Sequence, residues 1–308
     1  MAAISVHLLG TFHMDASTPT PALDNGKARE LFCYLLLHRD RPIHRDLLAG
    51  ALWGGNPNEH ARKYLRQALW QLQSSLAPLA VPRQPPWLDV QSGWIRLDSK
   101  GGLWLDVSVL EHASAATRGV PGGDLSAVQA ELLRSAVTLY RGDLLEGWYQ
   151  DWCLAHRETM QASYLDLLDK LIAYSEKQGR YEEGIAYGGR ALHVDRAHER
   201  THRQLMRLYY RNGDRTRALR QYERCATALH EELGISPARD TTALCEQIRQ
   251  ERWSPGWPPD PGDPASGDPE TLSDLANRLH DLQASLAALE QDVRQELHAV
   301  NSAPRSRN

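Results

Sequence analysis

The sequence has no apolar stretch long enough to cross a membrane. Its longest, residues 31–37, has seven residues, whereas a membrane-spanning helix needs about 20. The first ten residues have no basic residue ahead of their apolar positions, and His7 interrupts those positions, so they lack the pattern of a secretory signal. We therefore expect a cytoplasmic protein with no membrane partner.

Cysteine is scarce as well, and its positions suggest no shared role. The sequence also has no G-x-x-x-x-G-K-S/T motif, the loop with which many nucleotide hydrolases hold phosphate. The cysteines are scattered singly without a C-x-x-C pair, which argues against a disulfide framework and against structural zinc. They are Cys33, Cys153, Cys225 and Cys245. We expect no cofactor and no metal.

One short motif is that of an enzyme family. Residues 198–202 have the form H-E-x-x-H, in which two histidines one helical turn apart hold zinc and the glutamate acts as a base in metalloproteases. Against this interpretation, no third histidine follows at the usual spacing, and Leu205 and Leu208 continue the core face of a helix. We expect that the protein is not an enzyme. Zinc hydrolase remains a hypothesis that requires His198 and His202 to be exposed side by side.

The first hundred residues change from strand to helix and back over short distances. Alternating apolar residues at Ile4, Val6 and Leu8 predict a strand. Three helices and a hairpin follow, at residues 27–38, 45–53, 59–76 and 87–98. This order is typical of a winged helix-turn-helix domain, which we place at residues 1–99. We expect all strands to lie within the first hundred residues.

The third of these helices carries most of the residues that we predict to bind DNA. Its apolar residues fall on one face, and the sequence has no acidic residue between Glu59 and Asp89. Arginine and lysine bind phosphates, and arginine and glutamine supply the flat donors that recognise base edges in the major groove. The candidates are Arg62, Lys63, Arg66, Gln67, Trp70 and Gln73 on this helix, Arg45 before it, and Trp94 and Arg96 on the hairpin, or wing.

From about residue 103 the sequence is almost wholly helical and repeats itself. An offset of 34 residues pairs Leu171 with Leu205 and Gly179 with Gly213. A period of this length, with small residues where helices approach closely, is typical of tetratricopeptide repeats. We place a tetratricopeptide-like helical domain at residues 103–252, so the fold class is mainly α.

The last part of the sequence changes composition twice. Residues 253–270 are rich in proline and glycine, which predicts a linker. Residues 271–300 carry apolar residues at alternating spacings of three and four, which predicts a coiled-coil helix. We expect a homodimer that forms through Leu272, Leu275, Leu279, Leu282, Leu286, Leu289 and Val293.

Several segments between residues 4 and about 252 resemble a known bacterial family. LLGTF, NGKARELFCYLLLHRDRPIHRDLLAGALWG and EHARKYLRQALWQLQSSL are similar to the OmpR-type winged helix of SARP activators. YRGDLLEG, THRQLMRLYYRNGDRTRALRQYERC and LHEELGISP are similar to the bacterial transcriptional activation domain, or BTAD, of that family. The resemblance implies a sequence-specific activator that binds double-stranded promoter DNA through helix 59–76 and recruits RNA polymerase. It also implies that a loop faces the polymerase, formed by Trp53, Gly54, Gly55 and Asn56.

The sequence departs from the family near the end of this recognition helix. Many members have a run like S-R-L-R there, whereas this chain has Trp70, Gln71, Leu72 and Gln73. Two residues that the family uses to contact phosphate are thus neutral here. We expect their loss of charge to weaken DNA binding and to reduce its dependence on salt. The alternative hypothesis is a protein-interaction scaffold whose winged helix no longer binds DNA. A continuous surface formed by the cations of the helix and the wing would favour the DNA-binding interpretation.

Overall fold

The computed structural model describes residues 4–16, 23, 26–54, 58–79, 87–98 and 102–251. No helix in these ranges is long and apolar enough to span a membrane. The predicted linker at 253–270 and coiled coil at 271–300, with its apolar positions from Leu272 to Val293, lie outside the described residues. Gly55 and Asn56 lie outside them too.

The first part of the chain has the predicted strand, three helices and hairpin, with two further short strands. α2 begins where the His44 side chain accepts a hydrogen bond from the Asp46 N–H, which satisfies a donor that the first helical turn leaves free. The elements are β1 (Ile4–His7), β2 (His13–Ala16), α1 (Gly26–Leu37), β3 (Ile43–His44), α2 (Arg45–Trp53), α3 (Asn58–Leu76), a short 3-10 helix (Ala77–Leu79), β4 (Leu88–Val90) and β5 (Trp94–Leu97).

β3, β5 and β4 form an antiparallel sheet in that order, and β4 and β5 are the two strands of the wing. Ile95 and Leu97 are buried, whereas Trp94 and Arg96 are exposed. Successive side chains of a strand point to opposite faces, so the apolar pair holds the wing against the core. Trp94 and Arg96 are therefore turned outward.

A strand beyond residue 100 corrects one expectation. β6 (Leu103–Leu105) pairs in parallel with β1, so that β1 lies between β2 and β6 in a second sheet. The expectation that all strands lie within the first hundred residues is therefore wrong. Three residues are too few to show an alternating pattern. β6 pairs with the edge of β1, whose Ile4 and Val6 are fully buried.

The rest of the described chain is helical, and local signals mark several helix ends. α5 starts with a capping box in which Ser126 and Gln129 satisfy each other's backbone N–H groups. α9 ends at Gly234, whose left-handed φ of 68° is typical of helix C-termini. The helices are α4 (Asp106–Ala116), a short 3-10 helix (Gly122–Asp124), α5 (Ala127–Leu139), α6 (Asp151–Lys177), α7 (Tyr181–Val194), α8 (Glu199–Arg211), α9 (Arg215–Leu233) and α10 (Arg239–Arg249).

The repeat seen in the sequence corresponds to the helix pairs α6–α7 and α8–α9. Gly179 and Gly213, which the 34-residue offset aligns, have φ angles of 70° and 81° at the turn within each pair. Glycine adopts this left-handed conformation without steric cost. A Cβ atom at Gly188 of α7 would come within 2.6 Å of Leu205 of α8. Small residues therefore let successive helices pack closely, as the repeat predicted.

One continuous hydrophobic core joins the elements from β1 to α7 within the compact unit Met1–Arg252. The Asp106 carboxylate at the start of α4 accepts hydrogen bonds from the N–H groups of Leu8 and Leu9, each at 2.9 Å. The Leu145 N–H donates to the Leu8 carbonyl at 2.8 Å. Two of the segments that resemble the SARP family, LLGTF and YRGDLLEG, are thus in contact. The boundary between a winged-helix domain at residues 1–99 and a helical domain at residues 103–252 stays a prediction.

Candidate nucleic-acid interface

α3 has one buried face and one polar face. Ala61, Leu65, Ala68, Leu72 and Leu76 are buried, and their spacing of three and four places them on one side of the helix. α1 and α2 pack against α3. The residues predicted to bind DNA from this helix are all exposed: Arg62, Lys63, Arg66, Gln67, Trp70 and Gln73.

A groove of about 840 Å³ lies between the start of α2, the first half of α3 and the tip of the wing at residues 92–93. We call it the recognition groove. Arg45 of α2 lines it together with Arg62, Lys63 and Arg66 of α3. The structure therefore brings four of the predicted DNA-binding cations to one surface, although they come from two helices.

Two carboxylates also line the recognition groove, those of Asp46 and Glu59. The Arg62 guanidinium donates two hydrogen bonds to the Asp46 carboxylate, at 2.7 and 3.0 Å. These bonds hold the pKa of the Asp46 carboxyl below its usual range, so the group is ionised at neutral pH. Lys63 and Arg66 form no ion pair with any other residue that the structure describes. They are therefore the α3 cations most available to phosphate.

The wing carries the other two predicted contacts. Trp94 is 48% exposed, and its ring meets the ring of His44 edge-on with 5.2 Å between the centroids. His44 lines the recognition groove, whereas Trp94 is not among the lining residues. Arg96 lies 3.5 Å from the carboxylate of Asp89, its partner across the hairpin. The lining residues do not include Arg96. The expected basic surface therefore contains the α3 cations but not Arg96.

Three large side chains on α2 and α3 are exposed. Trp70 is 68% exposed, Leu47 is 70% exposed and Tyr64 is 41% exposed. Trp70 was among the residues predicted to bind DNA, whereas Leu47 and Tyr64 were not. The exposure of Tyr64 was predictable, because it lies off the three-and-four spacing of the buried residues of α3. The exposure of Leu47 was not, because a leucine in an amphipathic helix usually belongs to the buried face.

The structure corrects the expectation for Trp53, one of the four residues predicted to face RNA polymerase. Its side chain is 7% exposed and belongs to the core. The Lys27 ammonium lies 5.5 Å from the centroid of its ring. An apolar residue at the end of an amphipathic helix continues the buried face of that helix. Gly54, the next residue, is exposed.

The H-E-x-x-H segment serves helix packing in this structure. His202 is 3% exposed, and its Nε2 donates to the Arg196 carbonyl oxygen at 2.9 Å while its Nδ1 accepts from the Gln221 side-chain amide at 2.7 Å. Both ring nitrogens therefore have partners, and neither is free to bind a metal. The Glu199 carboxylate accepts a hydrogen bond from the Ala238 N–H at 2.7 Å. In the described part of the chain, no group of three or more His, Cys, Asp or Glu is placed to hold a metal.

The described residues thus define a winged-helix protein whose exposed helix carries cations and whose second part is a set of tetratricopeptide-like helix pairs. Residues 105–249 match the family model of the bacterial transcriptional activator domain. This range begins at the end of β6 and closes with α10. The chain therefore contains a bacterial transcriptional activator domain at these residues, and it is similar to the SARP/BTAD family of bacterial regulators.

Several relatives carry the names of transcriptional regulators. Over 80% of its length the chain is 27% identical to the regulatory protein AfsR of Streptomyces coelicolor and 25% identical to the transcriptional regulatory protein MoaR1 of Mycobacterium tuberculosis. It is 26% identical, again over 80% of its length, to the transcriptional regulatory protein EmbR of Mycobacterium tuberculosis. The matched regions span 24% of AfsR, 79% of MoaR1 and 63% of EmbR.

A solved structure shares the fold. The structure of Mycobacterium tuberculosis EmbR in complex with low affinity phosphopeptide superposes with a TM-score of 0.60 and 23% sequence identity. The superposition covers 82% of this chain and 67% of the EmbR chain. It confirms the predicted fold class, a mainly α protein with a winged helix and a helical repeat.

Proposed function

We propose that this chain is a sequence-specific DNA-binding transcriptional activator that acts in the bacterial cytoplasm and recruits RNA polymerase to promoter DNA. The recognition groove carries the proposal, because Arg45, Arg62, Lys63 and Arg66 converge on it between the recognition helix and the wing. The names of AfsR, MoaR1 and EmbR, all regulatory proteins, support it. The proposal includes no enzymatic activity.

In this proposal α3 lies in the major groove, which is wide enough for one helix. Arg66 and Gln67 are exposed on adjacent positions and carry the flat donors that bind base edges. Lys63 and Arg45 bind backbone phosphates and fix the position of the helix. Trp94 contacts the DNA backbone from the wing. Trp70 and Gln73 extend the contact along the same exposed face of α3.

Selection from a random pool of double-stranded DNA with the full chain tests the proposal. We expect an enriched site for the wild type and no enrichment for the double variant Lys63→Ala/Arg66→Ala. The matched control is Arg180→Ala/Arg217→Ala, which removes two exposed arginines of the helical repeat and should enrich the same site. Failure of the wild type to enrich any site at low salt would contradict the proposal.

A second candidate function is a protein-interaction scaffold whose winged helix does not bind DNA. The carboxylates of Asp46 and Glu59 favour it, because they lower the positive charge of the recognition groove. The same DNA selection separates the two functions. A wild-type chain that enriches no site, while it folds and remains in solution, would make the scaffold the better conclusion.

We also propose that the chain is a homodimer, on the basis of the leucine pattern from Leu272 to Val293. Two linked winged helices would bind two half-sites and gain affinity through effective concentration. Mass measurement of the full chain at micromolar concentration should give a dimer. The variant Leu279→Asp/Leu286→Asp should give a monomer, and a dimeric variant would show that another surface mediates self-association.

A further inference from the structure

A second groove, of about 700 Å³, lies in the helical repeat, apart from the residues to which we assign DNA binding. α7 and α9 form its walls and α8 forms its floor. Leu205 and Tyr209 of α8, with Leu192 of α7, give it an apolar surface. We call it the repeat groove.

The α9 wall of the repeat groove is positively charged. Arg220 and Arg224 lie one helical turn apart on it and are both exposed. Neither forms an ion pair with any other residue in the described ranges. Arg196, at another edge of the groove, differs from them because the carboxylates of Glu231 and Glu232 lie 3.1 and 3.7 Å from it. Two unpaired guanidiniums beside an apolar floor offer carboxylates charge-assisted hydrogen bonds.

On the α7 side, the repeat groove is lined by a glycine, which has no side chain to fill it. Gly189 lines the groove, and a Cβ atom built at this position meets no other atom within 4 Å. Packing therefore does not require glycine here, in contrast to Gly188, which lies against Leu205. Glycine inside a helix is less stable than alanine. Its presence at Gly189 leaves the groove open at a cost to the helix.

We propose that the repeat groove binds an acidic peptide segment of a partner protein. An apolar side chain of the peptide packs on Leu192 and Tyr209, and two of its carboxylates bind Arg220 and Arg224. Helical repeats commonly use their extended surfaces in this way. The inference goes beyond the proposed function, because it gives the regulator a protein-binding site that is independent of DNA.

Charge and polarity favour a peptide over a nucleic acid in this groove. Glu223 also lines it, one residue from Arg224, so the positive charge is confined to Arg220 and Arg224 and does not run along the groove as a nucleic-acid backbone would require. A peptide can place a backbone N–H group against the Glu223 carboxylate. The apolar surface at Leu192 and Tyr209 gives no favourable contact to a phosphate, whereas a leucine side chain gains by burial there.

Fluorescence anisotropy with the full chain tests the proposal. The probe is a fluorescein-labelled decapeptide with a central leucine, two glutamates on each side and serines elsewhere. We expect binding that weakens as salt rises, and a loss of affinity of about tenfold in the variant Arg220→Ala/Arg224→Ala. No binding to the wild type at about 1 mM peptide would overturn the proposal. Equal affinity of the wild type and the double variant would also overturn it.

Two matched sets of variants locate the binding. Gly189→Leu fills the groove from its α7 wall and should abolish binding, whereas Gly189→Ala should retain it. Arg217→Ala/Arg249→Ala removes two exposed arginines that do not line the groove and should bind the peptide like the wild type. The assay contains no DNA, so its result is independent of the DNA selection. In a separate titration, binding of labelled duplex DNA that is lost in Arg220→Ala/Arg224→Ala would identify a nucleic-acid site and overturn the proposal.

Discussion

The Arg62 guanidinium on α3 binds the Asp46 carboxylate on α2 through two hydrogen bonds of 2.7 and 3.0 Å. Both side chains are exposed and line the recognition groove. An ion pair in full contact with water adds little to stability. Its main consequence is therefore for DNA binding, because Arg62 has to leave Asp46, or share its charge with it, in order to bind a phosphate.

Replacement of the Asp46 carboxylate by a neutral amide should strengthen DNA binding. In Asp46→Asn, Arg62 loses its competing partner, so we expect tighter binding and a steeper salt dependence, by about one unit in the slope of log K against log salt. Asp214→Asn is the matched control, because it frees Arg217 on α9, away from the recognition groove. Anisotropy titrations at several salt concentrations measure both effects. An unchanged slope in Asp46→Asn would show that Arg62 does not bind phosphate.

Arg66 is the α3 cation that best separates base recognition from phosphate binding. It is exposed, lines the recognition groove and has no ion-pair partner among the described residues. If it binds a guanine edge, Arg66→Ala should cost about 1–3 kcal/mol at one base position only. The measurement is titration against the selected site and its single-base variants. A uniform loss with a lower salt slope would assign Arg66 to phosphate, and no loss would exclude it from the interface.

Replacement of the adjacent glycines Gly188 and Gly189 by alanine should change the stability of the fold in opposite directions. A Cβ atom at Gly188 would lie 2.6 Å from the buried Leu205 side chain, so we expect Gly188→Ala to destabilise the fold by about 1–3 kcal/mol. Gly189→Ala meets open space and should stabilise α7 by about 0.5–1 kcal/mol. Denaturant unfolding of both variants measures the difference. Equal stabilities would show that α7 and α8 do not pack as described.

The helices were predictable from sequence because each has a local signal. The predicted helix at residues 45–53 coincides with α2, and 59–76 differs from α3 (Asn58–Leu76) by one residue. β6 was not predictable, since its three residues pair with β1 across about a hundred residues of chain. The Asp106 carboxylate that binds the Leu8 N–H is another long-range contact. A charged residue at a helix start indicates a solvent-exposed group, and nothing local shows that it is buried.

The sequence predicted which residues of α3 form the candidate site, but it did not predict which of their charges are paired. Helical spacing indicated that Arg66 and Trp70 share the exposed face of α3, and the structure confirms this exposure. The pairing of Arg62 with Asp46 depends on the distance between α2 and α3, which no spacing rule supplies. Burial of Trp53 depends in the same way on how α2 packs. Sequence patterns therefore identify faces, whereas ion pairs between elements require the fold.

One buried histidine, His202, and one partly buried histidine, His38, should make the stability of the fold depend on pH. Burial lowers the pKa of His202, which accepts a hydrogen bond from Gln221, and burial also lowers the pKa of His38. Below about pH 6.5 the unfolded chain takes up protons at these positions that the folded chain does not. Because the unfolded state then binds more protons, the free energy of unfolding falls as pH falls through this range.

The variant His202→Gln tests how much of that dependence belongs to His202. Glutamine does not titrate, so we expect its free energy of unfolding to fall less steeply than the wild type's between about pH 6.5 and 5, with a difference of up to about 1.4 kcal/mol per pH unit. At about pH 7.5 the variant should be less stable, because its amide does not reproduce both hydrogen bonds of the imidazole. His230→Gln, at an exposed position of α9, controls for the loss of a histidine. Denaturant unfolding at each pH gives the slopes, and parallel slopes for His202→Gln and the wild type would contradict a neutral, buried His202 in the folded state.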